Sequence, residues 1–244
     1  MFFSSVLVGC VSIQPPLVSA PAENPINNWA RVLTKHVNEQ GQIDFKSVKA
    51  EPDDLYAYVD YASRVDPSID TTNFESREEK LAHFLNVYNA MAMYAVIELG
   101  IPKTNAGLAK VSFFFLKRYK IANKFQTLHA YEKMIRELGD PRVHFFLNCM
   151  SVGCPRLPQK PITAETLDET LDREAKRFFA DPEKLRVDDQ SQTLYLSEIL
   201  KFYTPEFLAK ANGLIAYVNQ YVEKPIPENY KIEFIPYDWT INQS

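Results

Sequence analysis

Several features that define common protein classes are missing from this chain of 244 residues. It has no run of about 18 apolar residues, so the sequence predicts no membrane-spanning helix. It has no basic block and its formal net charge is −4, which argues against a nucleic acid partner. Glycine is scarce at 7 residues while proline reaches 16, which indicates a helix-rich chain with stiff connections. No internal repeat is present, and no low-complexity segment follows Pro25.

The chain does contain enough apolar material for a substantial core. Apolar residues make up 46% of the sequence and aromatic residues 13%. The length suits one globular domain of moderate size, and the simplest division places that domain at residues 26–244. The order of helix and strand patterns predicts a helix-rich α+β domain around a central antiparallel or mixed sheet.

The first ten residues resemble the export signal of a lipoprotein. Residues 1–9 are apolar and uncharged, and they end in Leu7-Val8-Gly9 directly before Cys10. This order resembles the lipobox of bacterial lipoproteins, in which the cysteine is lipidated. No Lys or Arg precedes the apolar run, and in this the segment departs from a usual signal peptide.

The lipobox resemblance implies a protein anchored to the bacterial cell envelope. Residues 10–25 are rich in Ser, Pro and Ala, which is typical of a flexible tether. The lipid membrane is then a partner through Cys10. Because Val11 is not Asp, nothing signals retention at the inner membrane, and we expect an anchor in the outer membrane with the domain facing the periplasm.

The segment with the most chemistry is residues 141–157, which hold two of the three cysteines and one of the four histidines. Side chains alternate over residues 142–148 and both faces are bulky, which predicts a central strand covered on both sides. Pro155 then biases Cys154 toward an extended conformation. We expect His144 on the strand and Cys154 on the following loop to meet at the end of the strand.

The strongest predicted helix begins at Ser76, which forms a capping box with Glu79. Residues 84–100 are apolar on nearly every side, which predicts a buried central helix. Asn86 and Asn89 are unusual there, because a buried amide needs hydrogen-bond partners. Either both asparagines pin a neighbouring loop, or one of them acts in catalysis.

Other segments carry weaker patterns. Residues 110–128 are predicted as strands and residues 185–196 as a hairpin. A helix is predicted to begin at Thr127, and Glu132 in its early turns suits the helix dipole. Residues 231–242 are predicted as a final strand.

Five blocks resemble the domain-of-unknown-function-547 family, and they occur in the family's order. One block reads Phe-Leu-Asn-Val-Tyr-Asn-Ala and another reads Arg-Val-His-Phe-Phe-Leu-Asn-Cys, followed by Gly-Cys-Pro. The blocks lie at residues 84–90, 129–132, 142–155, 197–203 and 237–242. Ala130, Tyr131 and Phe146 depart from the family pattern. On these blocks the chain is identified as a member of the family.

The resemblance implies a fold distantly similar to the papain-like and transglutaminase-like folds, without an established activity. In those folds the nucleophile opens the central helix. This chain has Asn86 or Asn89 on that helix instead of a cysteine, so the usual order of catalytic residues does not carry over.

The first functional hypothesis is a cysteine-dependent hydrolase or acyl transferase. Cys154 would be the nucleophile, and His144 would be the base that takes its proton. Asp238, Glu132 or an asparagine would orient the imidazole. Asn86 or a backbone amide near Cys154 would stabilise the oxyanion.

Three alternatives concern the same residues. Cys149 is the second choice of nucleophile. A second hypothesis is a non-catalytic binding or assembly module for an unidentified peptide or envelope partner, in which Cys149 and Cys154 form a disulfide. A third is a metal site formed by His144 and the two cysteines, although their spacing is wider than Cys-x-x-Cys. No cofactor is predicted.

Overall fold

The computed structural model describes residues 11–18 and 24–244. The predicted α+β class is confirmed, since helices account for 45% of the described residues and the strands form small mixed sheets. The predicted signal segment at residues 1–9 and the lipidation site Cys10 lie outside the described residues, as does part of the tether. Within the described ranges, no helix combines the length and the apolar character needed to cross a membrane.

Helices supply most of the fold, and two short sheets complete it. The helices are α1 (Ile26–His36), α2 (Phe45–Ala50), α3 (Asp53–Arg64), α4 (Arg77–Glu98), α5 (Leu108–Val111), α6 (Leu128–Arg136), α7 (Leu167–Ala180), α8 (Glu198–Phe202), α9 (Thr204–Leu208) and α10 (Leu214–Val218). A π-helical turn at Ser112–Leu116 continues α5, and a 3-10 helix spans Pro141–Phe145. The strands are β1 (Ser12–Ile13), β2 (Arg118–Ile121), β3 (Lys124–Gln126), β4 (Leu185–Asp188), β5 (Thr193–Ser197) and β6 (Lys231–Ile235).

The strands form two separate sheets, where the sequence predicted one central sheet. In the first sheet β1 pairs in parallel with β2, and β2 pairs antiparallel with β3. In the second sheet β4 pairs antiparallel with β5, and β5 pairs in parallel with β6. Each strand is at most five residues long, so the helices rather than the sheets enclose the core.

The central helix predicted from the sequence is α4. Its capping box is present, because the Ser76 side chain accepts the Glu79 N–H while the Glu79 side chain accepts the Ser76 N–H. Every residue from Leu81 to Ile97 is buried, as expected for a helix that is apolar on all sides. The larger apolar cluster surrounds α4, and a second cluster lies between α7 and the second sheet.

The predicted central strand at residues 142–148 is wrong, because the chain forms a 3-10 helix there. The Asp140 side chain accepts the Arg142 N–H, and Pro141 occupies the first turn, where its missing N–H costs nothing. Phe145 packs into the second apolar cluster while Val143 packs into the first. The alternation of bulky side chains therefore reflects a segment between two cores, not a strand with two covered faces.

The prediction for residues 110–128 is half right. Residues 108–116 are helical, because α5 runs directly into the π-helical turn. The following hairpin of β2 and β3 is confirmed. Its turn lies at Ala122 and Asn123, both with positive φ (52° and 60°), which suits the right-handed twist of a two-residue hairpin.

Candidate active site

The loop that carries both cysteines is held by two asparagines. Asn89 on α4 accepts the Asn148 N–H at 2.8 Å and donates to the Phe146 carbonyl at 3.1 Å. The Asn148 side chain accepts the Met150 N–H at 2.6 Å and donates to the Pro155 carbonyl at 2.7 Å. The two amides thus fix where the loop leaves the 3-10 helix and where it ends.

The C-terminal segment closes the loop from the other side. The Val152 N–H donates to the Thr240 carbonyl at 2.8 Å, and the Gly153 N–H donates to the Asp238 carbonyl at 2.7 Å. A Cβ atom on Gly153 would lie 2.7 Å from two ring carbons of Tyr237, closer than real Cβ atoms approach. Glycine is therefore required for Tyr237 to reach the cysteines.

Cys149 and Cys154 are both free thiols and both buried. Their sulfur atoms lie 2.7 Å apart, and the Cys149 N–H donates to the Cys154 sulfur at 2.9 Å. The Tyr237 hydroxyl lies 3.2 Å from the Cys149 sulfur and 2.9 Å from the Cys154 sulfur. The two sulfur atoms are therefore in direct contact without a covalent bond in this structure, and the disulfide of the second hypothesis stays a prediction.

The surroundings of the pair favour ionisation of Cys149 over that of Cys154. Burial by itself raises the pKa of Cys149, but hydrogen bonds with Cys154 and Tyr237 outweigh it and lower that pKa to about 7. Burial raises the pKa of Cys154, and its hydrogen bond with Cys149 and the charge on Cys149 raise it further. Near neutral pH the pair can carry one negative charge, and a thiolate is the reactive form of cysteine.

Both cysteines line a small cavity of about 70 Å³. His144 and Glu132 line the same cavity, so the structure brings together four of the predicted site residues. The other lining side chains are mostly apolar or aromatic: Tyr88, Phe114, Leu147, Pro155, Ile199, Phe202, Tyr203, Tyr237 and Trp239. The cavity can hold a reacting carbonyl and a few further atoms, while the rest of a substrate would lie outside.

His144 is oriented by Glu206, the first acidic residue of α9. The two side chains meet at 2.8 Å between His144 Nε2 and Glu206 Oε2, and Arg136 donates to the other carboxylate oxygen at 3.0 Å. Burial raises the pKa of Glu206, but the hydrogen bond and charge of His144 outweigh it and lower that pKa. The Tyr203 ring stacks on the imidazole at 3.9 Å between centroids. Within the described residues His144 makes no second hydrogen bond, which leaves Nδ1 for a proton from the cavity.

Glu132 lies in the cavity wall but does not contact His144. Its carboxylate accepts the Tyr88 hydroxyl at 3.1 Å and the Tyr203 hydroxyl at 2.7 Å, and Arg136 lies 3.7 Å away. Glu132 therefore positions the tyrosine that stacks on the imidazole, not the imidazole itself.

Asp238 and Asn86 do not occupy the places that their expected roles require. The Asp238 carboxylate is exposed and accepts the Thr240 N–H at 2.8 Å. The Asn86 side chain donates to the Ile162 carbonyl at 2.7 Å and accepts the Ile162 N–H at 3.1 Å. Asn86 lines a different cleft from the cysteines, so it pins a loop, as one of the two sequence interpretations expected.

Two residues of the site were missed in the sequence. Tyr237 lies in a block that resembles the family, so that block was a usable signal. Glu206 had no comparable signal, because an acidic residue in the first turn of a short helix is ordinary. Only the fold brings α9 against the 3-10 helix.

The described residues offer no group of three or more His, Cys, Asp or Glu side chains arranged to hold a metal ion. A larger cleft of about 700 Å³ lies beyond Pro155, and its cationic side chains already have partners. Arg156 donates to Glu174 at 2.9 Å, and Lys184 donates to the Val152 carbonyl at 2.7 Å. We therefore place the chemistry at the thiol pair.

Comparison with known families gives one match. Residues 72–179 match the model of the family described as "Protein of unknown function, DUF547". The predicted resemblance to the DUF547 family is thus confirmed over residues 72–179. The matched DUF547 segment includes His144, Cys149 and Cys154, whereas Glu206 and Tyr237 lie beyond it. No curated protein and no solved structure matches the chain.

Proposed function

We propose that this DUF547 protein is a cysteine-dependent hydrolase or acyl transferase, held in the bacterial cell envelope by a lipid on Cys10. The observation that carries the proposal is one cavity lined both by a hydrogen-bonded thiol pair and by a histidine paired with a carboxylate. A nucleophile, a base and a group that orients the base are the parts that acyl transfer through a thiol needs.

Within the pair we assign the nucleophile to Cys149, the second choice from the sequence. Its pKa is the one lowered to about 7, while that of Cys154 is raised. Cys154 then acts by donating a hydrogen bond that stabilises the Cys149 thiolate.

The reaction proceeds in two steps. His144 takes the proton of Cys149, and the thiolate sulfur attacks the acyl carbonyl carbon, forming a C–S bond while the bond to the leaving group breaks. The protonated imidazole, stabilised by Glu206, gives its proton to the leaving group. Water or another acceptor then attacks the thioester, the C–S bond breaks, and the Cys149 thiol is restored.

An activated ester whose acetyl group fits the 70 Å³ cavity, with its leaving group outside, tests this proposal. The full chain with Cys10→Ser would be mixed with p-nitrophenyl acetate, and nitrophenolate release and peptide mass would be followed. We expect a burst of nitrophenolate and one acetyl group on Cys149. Cys149→Ser should abolish both signals, while Cys154→Ser should slow the burst and keep the label on Cys149.

Two outcomes would contradict the proposal. If no cysteine becomes acetylated, or if the burst persists in Cys149→Ser with the label elsewhere, the thiol pair is not a nucleophilic site. The binding-module hypothesis would then be the better account.

A further inference from the structure

The segment that follows α4 and includes β2 and β3 has an unusual charge. Residues 99–131 contain no Asp or Glu, although the whole chain is acidic with a net charge of −4. The same segment contains Lys103, Lys110, Lys117, Arg118, Lys120 and Lys124. Among the described residues, Lys124 alone of these forms an ion pair, with Asp66. The segment therefore carries a concentrated positive charge that neighbouring carboxylates offset only in part.

One face of the helix within this segment is apolar and exposed. Leu108 is 87% exposed, Val111 42% and Phe115 47%, at spacings of three and four residues along α5 and its π-helical turn. Side chains at these spacings lie on one side of a helix. Phe113 and Phe114, on the other side, are buried in the core. We name Leu108, Val111 and Phe115 the apolar face.

The apolar face lies next to the point where the described chain begins. The Val11 carbonyl accepts the Arg118 N–H at 3.0 Å, and β1 then runs parallel to β2. Arg118 is three residues from Phe115 in the chain. Val11 is itself 49% exposed, and it directly follows Cys10. The first described residue therefore lies at the same edge of the domain as the apolar face.

The same helix borders the cysteine cavity. The Lys110 ammonium lies 3.9 Å from the centre of the Trp239 ring and 5.7 Å from that of Phe202. Both rings line the cavity, and so does Phe114 on the buried side of the helix. The wall of the cavity and the apolar face thus belong to one short segment.

We propose that the apolar face and its flanking cations dock on the surface of an anionic lipid bilayer. Exposed apolar side chains enter the boundary between headgroups and acyl chains, and lysine and arginine side chains are attracted to anionic headgroups. A lipid on Cys10 would add a second attachment at the same edge of the domain. The inference about the substrate rests on the proposed function: if the protein is an acyl-transfer enzyme, its substrate is an acyl group presented at the membrane surface.

Vesicle binding tests the docking proposal without the lipid anchor. The full chain with Cys10→Ser would be sedimented with vesicles of equal parts phosphatidylcholine and phosphatidylglycerol, and with vesicles of phosphatidylcholine alone. We expect binding to the anionic vesicles that weakens as salt is added. The triple variant Leu108→Gln, Val111→Gln, Phe115→Gln should bind the anionic vesicles at least about tenfold more weakly. The reason is that three apolar side chains are no longer available to be buried in the bilayer.

The matched control is Leu208→Gln, which removes a similarly exposed apolar side chain (48%) from α9. It should bind vesicles like the parent. If the parent does not bind anionic vesicles, or if the triple variant binds them as well as the parent, the docking proposal is overturned.

Acetylation of Cys149 by p-nitrophenyl acetate in the same variants reports on the proposed function separately. Vesicle binding without acetylation would contradict the catalytic proposal alone.

Discussion

Two cavities border α4, and each contains a buried histidine among aromatic rings. In the cleft lined by Asn86, His83 lies against the edges of Phe74 and Tyr61, and it makes no hydrogen bond with any described residue. In the cysteine cavity, His144 also packs against aromatic rings but is paired with Glu206. Burial lowers the pKa of His83 to about 4, so it stays neutral at physiological pH.

The comparison shows that burial among rings does not make a histidine a useful base. An imidazole in an apolar site resists taking a proton, because the charged form loses its hydration. A carboxylate at hydrogen-bond distance compensates for that loss. We therefore assign acid–base chemistry to His144 and packing to His83, although both histidines are more than nine-tenths buried.

The asparagines of α4 allow the sharpest test of the comparison, because each pins one loop through two buried hydrogen bonds. Asn89→Ala should lower the free energy of unfolding by about 2–5 kcal/mol, since the Phe146 carbonyl and the Asn148 N–H lose their partner. Asn86→Ala should cost a similar amount through Ile162. Urea unfolding measures both losses.

Only Asn89→Ala should also change the reactivity of the cysteines, because only Asn89 holds the loop that carries them. The rate of nitrophenolate release in folded protein measures this difference. Equal effects of the two variants on that rate would mean that the two regions are not functionally distinct.

His83 should make stability depend on pH. The unfolded state takes up a proton near pH 6.5, whereas folded His83 does so only near 4, so the folded state loses stability as pH falls between these values. The loss reaches roughly 3 kcal/mol at pH 4. Phenylalanine cannot take up a proton, so the His83→Phe variant should lose less stability than the parent between pH 7 and pH 5. The urea concentration at the unfolding midpoint, measured at both pH values, checks this. An unchanged pH dependence in the variant would show that His83 is not held neutral by burial.

Glu206→Gln should have the smallest effect, and it should act on the rate rather than on the fold. Without the carboxylate, the imidazole loses the partner that holds its Nε2 atom in place. Nitrophenolate release at pH 7 should then slow by up to about tenfold. Asp238→Asn is the matched control, since the Asp238 side chain bonds to Thr240 and not to His144, and it should leave the rate unchanged. A slower rate in the control but not in Glu206→Gln would reverse our assignment.

Local signals in the sequence were sufficient for the helices and for part of the site. The capping box at Ser76 and the apolar run after it predicted α4, because such signals act within a few residues. The family blocks placed His144 and both cysteines in one segment. Residues 142–148 were misjudged because Phe145 and Val143 face different cores, and the distribution of side chains between two cores is not a local property. Glu206 was missed for the same reason, since its role arises only from tertiary packing.

The most direct test of the central claim is the pH dependence of alkylation at each cysteine. Iodoacetamide would be added to the folded full chain with Cys10→Ser over a range of pH, and the modified cysteines would be mapped by mass. We predict that Cys149 reacts first, with a midpoint near pH 7, that Cys154 reacts more slowly, and that Tyr237→Phe raises the Cys149 midpoint because it removes a hydrogen bond to that sulfur. Preferential modification of Cys154, or a Cys149 midpoint that is unchanged in Tyr237→Phe, would contradict the assignment of Cys149 as the nucleophile.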